Sequence, residues 1–102
     1  MKTPKKITDA AKGEPCTLNI PGHCNYNIET TCFCHHDDGT GGSNRLTGPL
    51  SGGIGCSGCH DCIDGRVPTA LSQDDMEFFK RRSQNRTINR LIELGLVKVA
   101  GL

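Results

Sequence analysis

The sequence predicts a small α+β domain: a β-hairpin followed by a short helix, stapled by zinc, with a long Gly-rich loop and a helical C-terminal segment. Three observations lead there. The chain has 102 residues, of which 34% are hydrophobic, with no Trp, one Tyr and three Phe. A domain of that size and composition buries too little apolar surface to be held by its core alone. It carries seven Cys and thirteen Gly, so staples are at hand and much of the backbone is irregular. The stretch Cys56-Ser57-Gly58-Cys59-His60-Asp61-Cys62 gathers three thiols, an imidazole and a carboxylate in seven residues. A C-x-x-C pair is half of a tetrahedral zinc site.

Compartment selects the kind of staple. Residues 1–15 hold Lys2, Lys5, Lys6, Lys12, Asp9 and Glu14 with no apolar h-region, so no signal peptide is expected. No apolar run reaches the length of a membrane span. A cytoplasmic location follows, where thiols stay reduced and clusters of Cys bind metal. The odd Cys count also fits a disulfide framework poorly. The net charge of +1 does not declare a nucleic-acid binder, although basic residues gather near the N-terminus and between Lys80 and Arg90.

In chain order, residues 1–14 read as a basic N-terminal arm, with a short helix available from Lys5 to Lys12. A single zinc-binding domain is expected over 15–102. Leu18 and Ile20 alternate as a strand would, and Pro21-Gly22 is a turn that brings Cys24 back beside Cys16. The β-branched and aromatic run from Ile28 to His35 is the strongest strand. Its alternation puts Cys32, Cys34 and His36 on one face and Phe33 and His35 on the other. Residues 37–55 form a Gly-rich loop of a length that is usually functional or disordered. It lacks the Gly-Lys-Ser/Thr of a phosphate loop. Leu50 and Ile54 re-enter the core, and Ile54 to Cys56 make a very short second strand. Ser57 is the expected N-cap of a helix that Gly65 and Pro68 end. The hairpin and this helix make a core at about 28–66. A C-terminal helix follows at about 72–94, opened by Ser72 with Asp75 three residues on and stopped by Gly95. Its polar middle suggests a break near Ser83. Leu96 to Val99 could close the chain as a short strand.

Cys16, Cys24, Cys56 and Cys59 make a C-x7-C and C-x2-C arrangement whose four thiolates suit a closed structural zinc. Cys32, Cys34 and Cys62 are surplus, either small buried hydrophobes or, together, ligands of a second metal. His35, His36 and His60 are the catalytic candidates. A strand ending in His, a long loop, a short strand, C-x-x-C and a helix His is the ββα-metal layout. There the strand His acts as general base on a water, and a divalent ion held by the helix His neutralises charge on the phosphate. Lys80, Arg81, Arg82, Arg86 and Arg90 are either phosphate contacts or a solvated helix face. A c-type haem, also signalled by C-x-x-C-H, would need export. The deaminase signature is absent, since Gly55 and not Pro precedes Cys56. A thioredoxin-like site lacks its βαβ context.

The run from Cys16 to His35, C-T-L-N-I-P-G-H-C-N-Y-N-I-E-T-T-C-F-C-H, then G-C-S-G-C-H-D-C-I-D-G-R, resembles the small phage and prophage proteins of the YbcO family. These belong to the HNH, or His-Me finger, endonuclease superfamily. The resemblance covers about residues 12–67. It implies a His-Me finger fold and metal-dependent cleavage of nucleic acid, DNA first, in a bacterial host cell. It implies structural Zn²⁺ on Cys16, Cys24, Cys56 and Cys59, His35 as the base, and Mg²⁺ or another divalent cation on His60. Cys34 stands where such enzymes often have an Asp or His ligand before the base. If His36 were the base, His35 would take that place. Asn44 is the candidate for the loop residue that braces the base. The alternative function is a non-catalytic zinc module that binds DNA or a phage protein.

Overall fold

The computed structural model describes residues 3–36 and 48–101. Its elements are α1 (Lys5–Ala11), a single 3-10 turn (Ile28–Thr30), β1 (Cys32–His35), β2 (Gly52–Gly55), α2 (Ser57–Ile63) and α3 (Gln73–Glu93). The two strands pair antiparallel, with Cys32 opposite Gly55, Phe33 opposite Ile54, Cys34 opposite Gly53 and His35 opposite Gly52. The predicted α+β class and its hairpin-then-helix order are therefore present. Most of the expected Gly-rich loop, with Asn44, lies outside the described residues.

The hairpin divides the interior. On one face Phe33 and Ile54 pack with Ile7, Ala11 and Leu91. On the other, Cys34, Cys56, Cys59 and Cys62 pack with Leu18 and Ile20. The segment expected as a basic arm supplies part of the first cluster. Helix α1 buries Ile7 and Ala11 and leaves Lys5, Lys6 and Lys12 exposed. Thr31 fastens it, donating its hydroxyl to the Ala11 carbonyl at 3.3 Å and accepting from the Gly13 N–H at 3.1 Å.

Strand β2 reads Gly-Gly-Ile-Gly because neighbours press on its backbone. A Cβ on Gly53 would lie on the Ser83 hydroxyl, and one on Gly55 would come within 2.5 Å of Leu18 Cδ1 and 3.0 Å of the Cys34 sulfur. Helix α3 thus packs directly against strand backbone. Its polar middle does not break it. Ser83 and Thr87 lie four residues apart on the buried stripe that continues to Leu91. Thr87 Oγ1 accepts from the Ile54 N–H at 2.9 Å. Thr17 donates its hydroxyl to the Ile54 carbonyl at 2.7 Å and lies 2.6 Å from Ser83 Oγ. A polar seam therefore satisfies the free edge of β2, where an apolar stripe would leave it unpaired. The apparent break at Ser83 was this seam.

Other boundaries shift for local reasons. Residues 28–30 form a 3-10 turn rather than strand because Asn27 Oδ1 accepts from the Glu29 N–H at 3.0 Å. The cap of α2 is Cys56, whose sulfur accepts from the Cys59 N–H at 3.4 Å, and not Ser57. Ser72 caps α3 as expected, accepting from the Asp75 N–H at 3.1 Å. Gly95, at φ 76°, ends α3, and the Leu96 N–H returns to the Leu91 carbonyl at 2.9 Å. Leu96 and Val97 then pack against the first cluster, and residues 96–99 are not a strand.

Candidate functional site

Two knuckles meet beside the hairpin. The Pro21-Gly22 turn, with Gly22 at φ 80°, lets the Cys24 N–H reach the Ile20 carbonyl at 2.9 Å. The second knuckle is the capped start of α2. A Cβ on Gly58 would strike the His23 carbonyl, so the knuckles touch only because residue 58 is Gly. The sulfurs of Cys16, Cys24, Cys56 and Cys59 all lie within 4.8 Å of one another. Cys16 to Cys59 and Cys24 to Cys56 are each 3.8 Å. Zinc–sulfur bonds of about 2.3 Å at tetrahedral angles require sulfurs about 3.8 Å apart, so the set fits such an ion. The seven cysteines are free thiols.

The backbone around this cluster is arranged for anionic sulfur. Cys16 accepts from the N–H groups of Asn19 and Cys56 at 3.5 and 3.3 Å. Cys59 accepts from Ile20 at 3.4 Å, and Cys56 from Asn25 at 3.4 Å. The neighbouring Cys59 thiol, together with the backbone N–H groups, brings Cys16 down to about 4 against the opposing effect of burial. The same contact with Cys16, then burial, pushes Cys59 up. Protein alone favours one thiolate of the pair, and a bound cation is what would let all four ionise.

The surplus thiols part company. Cys32 and Cys34 meet His60 in a second group whose ligand atoms lie within 4.8 Å of one another. Cys62 belongs to neither group and is buried in the apolar cluster. The His60 ring is held at both nitrogens: Nδ1 is 3.6 Å from the Cys32 sulfur and Nε2 is 3.1 Å from Asp64 Oδ2. Arg66 donates to Asp64 at 2.7 Å and to Asp61 at 2.8 Å, which fixes the carboxylate.

The adjacent histidines occupy different environments. His35 is exposed, stands edge-on to Phe33 with centroids 5.1 Å apart, and has Nε2 3.0 Å from Thr3 Oγ1. Thr3, Lys5 and Thr8 line a shallow recess with it. His36 is 7% exposed, and its Nε2 has no hydrogen-bond partner among the described residues. Burial, then the charge of Lys80, brings His36 down to about 4. Its backbone is tied to Ser51, whose carbonyl accepts from the His36 N–H at 3.0 Å. Thr3, buried beside His35, was not found by sequence reasoning. Nothing local links it to a residue 32 positions away.

The basic residues of α3 also divide. Arg82 donates to the Leu18 carbonyl at 2.9 Å and lies over the Phe78 and Phe79 rings. Arg90 pairs with Glu14 at 2.5 Å. Lys80 is 3.7 Å from Glu77. Arg81 and Arg86 are exposed, although Arg86 also donates to Asn19 Oδ1 at 3.2 Å. Both line a surface recess with Phe78, Arg82, Asn85 and Asn89. Among the described residues, no helix is long and apolar enough to cross a membrane.

Fold and site together define a small α+β protein built on a hairpin, a following helix and a thiolate cluster able to hold a metal ion such as zinc. Residues 5–96 match the family described as "Putative nuclease YbcO", and the chain belongs to that family. Proteins of that description from Escherichia coli K12 and from Enterobacteria phage 82 are each 43% identical to it over 62 residues. The match spans 60% of this chain and 65% of each relative, less than two thirds of their length. A solved structure described as a putative bacteriophage protein from Escherichia coli K-12 MG1655 is similar at a TM-score of 0.72. It is 30% identical, and the similarity covers 86% of this chain and 98% of that one.

Proposed function

We propose that this chain is a metal-dependent endonuclease of HNH, or His-Me finger, type. It hydrolyses phosphodiester bonds in nucleic acid, DNA in the first instance, in the cytoplasm of a bacterial host. The observation that carries the reading is the placement of β1. The strand turns Cys34 toward His60 of α2 and leaves the ring of the next residue, His35, open to solvent. A ligand group and a proton acceptor thus flank one strand end.

Each residue has a role in that reading. The zinc-fitting cluster of Cys16, Cys24, Cys56 and Cys59 holds the frame. Thr3 accepts the Nε2–H of His35 across their 3.0 Å contact and leaves Nδ1 to take a proton from the attacking water. His36, which burial holds at about 4, is the weaker acceptor and the less accessible one. A divalent cation bound at His60 supplies charge neutralisation at the scissile phosphate and its leaving oxygen. Asp64 orients the His60 ring through Nε2. Arg81 and Arg86 contact backbone phosphates, so binding weakens with salt and carries no sequence preference. Lys80, Arg82 and Arg90 are engaged within the protein, and Arg86, which donates to the Thr17 carbonyl and Asn19 Oδ1, would turn from them to reach a phosphate.

The test is a plasmid-nicking assay on zinc-loaded protein, with Mg²⁺, Mn²⁺ or Zn²⁺ added, beside His35→Ala, His36→Ala and His60→Ala. Cleavage lost in the His35 and His60 variants, and retained in the His36 variant, is the expected result. Loss in His36→Ala alone would reassign the base. No cleavage of duplex, branched or single-stranded substrate by zinc-loaded protein would leave a non-catalytic module that binds DNA or a phage protein.

A further inference from the structure

We propose that Cys32, Cys34 and His60 form a second metal site, separate from the four-cysteine cluster, and that it takes a thiophilic divalent ion such as zinc in preference to Mg²⁺. The site shares His60 with the nuclease reading, but the observations behind it concern ligand chemistry alone.

Geometry comes first. The sulfurs of Cys32 and Cys34 are 4.0 Å apart, and the Cys32 sulfur is 3.6 Å from His60 Nδ1. A tetrahedral ion with bonds of about 2.3 Å to sulfur and about 2.0 Å to nitrogen needs edges of about 3.8 and 3.5 Å. The second group meets that requirement nearly as well as the four-cysteine cluster does. The alternation of β1 puts both thiols on one face, and their partners across the hairpin are Gly55 and Gly53. A Cβ on Gly55 would sit 3.0 Å from the Cys34 sulfur, so the glycine keeps the space that this thiol occupies.

The imidazole is prepared as a ligand. Asp64 Oδ2 lies 3.1 Å from Nε2, so Nε2 carries the proton and Nδ1 presents its lone pair to the two sulfurs. Arg66 donates to the same Asp64 oxygen at 2.7 Å and so fixes its position. A carboxylate behind a histidine is the usual outer partner of a histidine bound to metal. Two thiolates and an imidazole are soft and intermediate donors that suit zinc and neighbouring transition metals. Mg²⁺ demands oxygen ligands. Three protein ligands leave a fourth position for water or a phosphate oxygen, the pattern of reactive rather than purely structural zinc. Cys62, the other surplus thiol, is buried outside the group.

Zinc content decides the matter, measured on the full chain by native mass spectrometry after zinc saturation and removal of loosely held ion. The expected result is two zinc ions per chain, falling to one in Cys32→Ser, Cys34→Ser and His60→Ala. A thousandfold excess of Mg²⁺ should leave both ions in place. Replacement by Co²⁺ should give thiolate charge-transfer absorption that drops stepwise in the same variants. Cys34 is fully buried, so if its variant does not fold, the partly exposed Cys32 and His60 variants decide. A single zinc in the wild-type chain, or a second ion that survives both Cys32→Ser and His60→Ala, overturns the site. Displacement of the second ion by Mg²⁺ overturns its preference. Two zinc ions without nicking would discard the nuclease reading and keep the site; nicking with one zinc would do the reverse.

Discussion

Gly53→Ala adds one methyl group where α3 lies on strand backbone. The new Cβ would fall on the Ser83 hydroxyl, 3.0 Å from Ser83 Cβ and 3.2 Å from its carbonyl carbon. The hydroxyl cannot yield freely, since it sits 2.6 Å from Thr17 Oγ1 inside the seam. Overpacking of this kind costs about 1–3 kcal/mol, and the displaced hydrogen bond about 1 kcal/mol more. The reduced freedom of the unfolded chain returns about 0.4–1 kcal/mol. The net loss is about 2 kcal/mol, or about 10 °C in Tm for a domain of this size. Thermal denaturation of zinc-loaded protein, followed by circular dichroism, measures it. Pairing the change with Ser83→Gly should cost at least about 1 kcal/mol less than the sum of the two single variants. A Gly53→Ala protein within about 0.5 kcal/mol of wild type, or strictly additive variants, would refute direct packing of α3 on β2.

Two further outcomes follow from the buried groups. His36 is held down to about 4 by burial, against about 6.5 in an unfolded chain, so between those values the unfolded state binds a proton that the native state refuses. The stability it confers is complete above about pH 6.5 and is lost as pH falls toward 4, by at most about 3 kcal/mol. Urea midpoints across that range should fall more steeply for wild type than for His36→Phe; equal slopes would sink the assignment. Stripping metal at neutral pH should unfold the hairpin and α2 cooperatively, because the four-cysteine cluster ties residues 16–24 to 56–59 and structural zinc contributes on the order of 10 kcal/mol in small domains. An unchanged melting curve after chelation would count against that cluster as the staple.

Much of the frame was legible because its signals are local. The C-x-x-C spacing, the Pro21-Gly22 turn, the Ser72 cap and the Gly95 stop each act within a few residues, and alternation along β1 placed Cys32 and Cys34 on the face away from His35. The missed features join distant segments. Ser83 and Thr87 read as a weak point of a helix until the bare edge of β2 is seen beside them. Thr17 meets Thr87 across 70 residues of sequence, and Glu14 meets Arg90 across 76. Ile7 and Ala11 read as an arm because their partner, Phe33, lies far along the chain. Cys62 falls outside the second group for a related reason: His60, two residues back and on another face of the helix, faces β1, whereas Cys62 turns inward among apolar side chains.

Strand β2 contributes one side chain, Ile54, to the interior; at its other three positions, what matters is that nothing is there. Such a strand is defined by its surroundings. Any substituent at 52, 53 or 55 meets the Cys34 carbonyl, the Ser83 hydroxyl or Leu18. Selection at those sites therefore works by exclusion, and the permitted alphabet shrinks to a single letter. The outward face of α3 is under no such restriction. A lineage could redraw the charge it shows to a partner many times over while the inner strand stays unchanged, which separates the part of the molecule free to specialise from the part that must hold still.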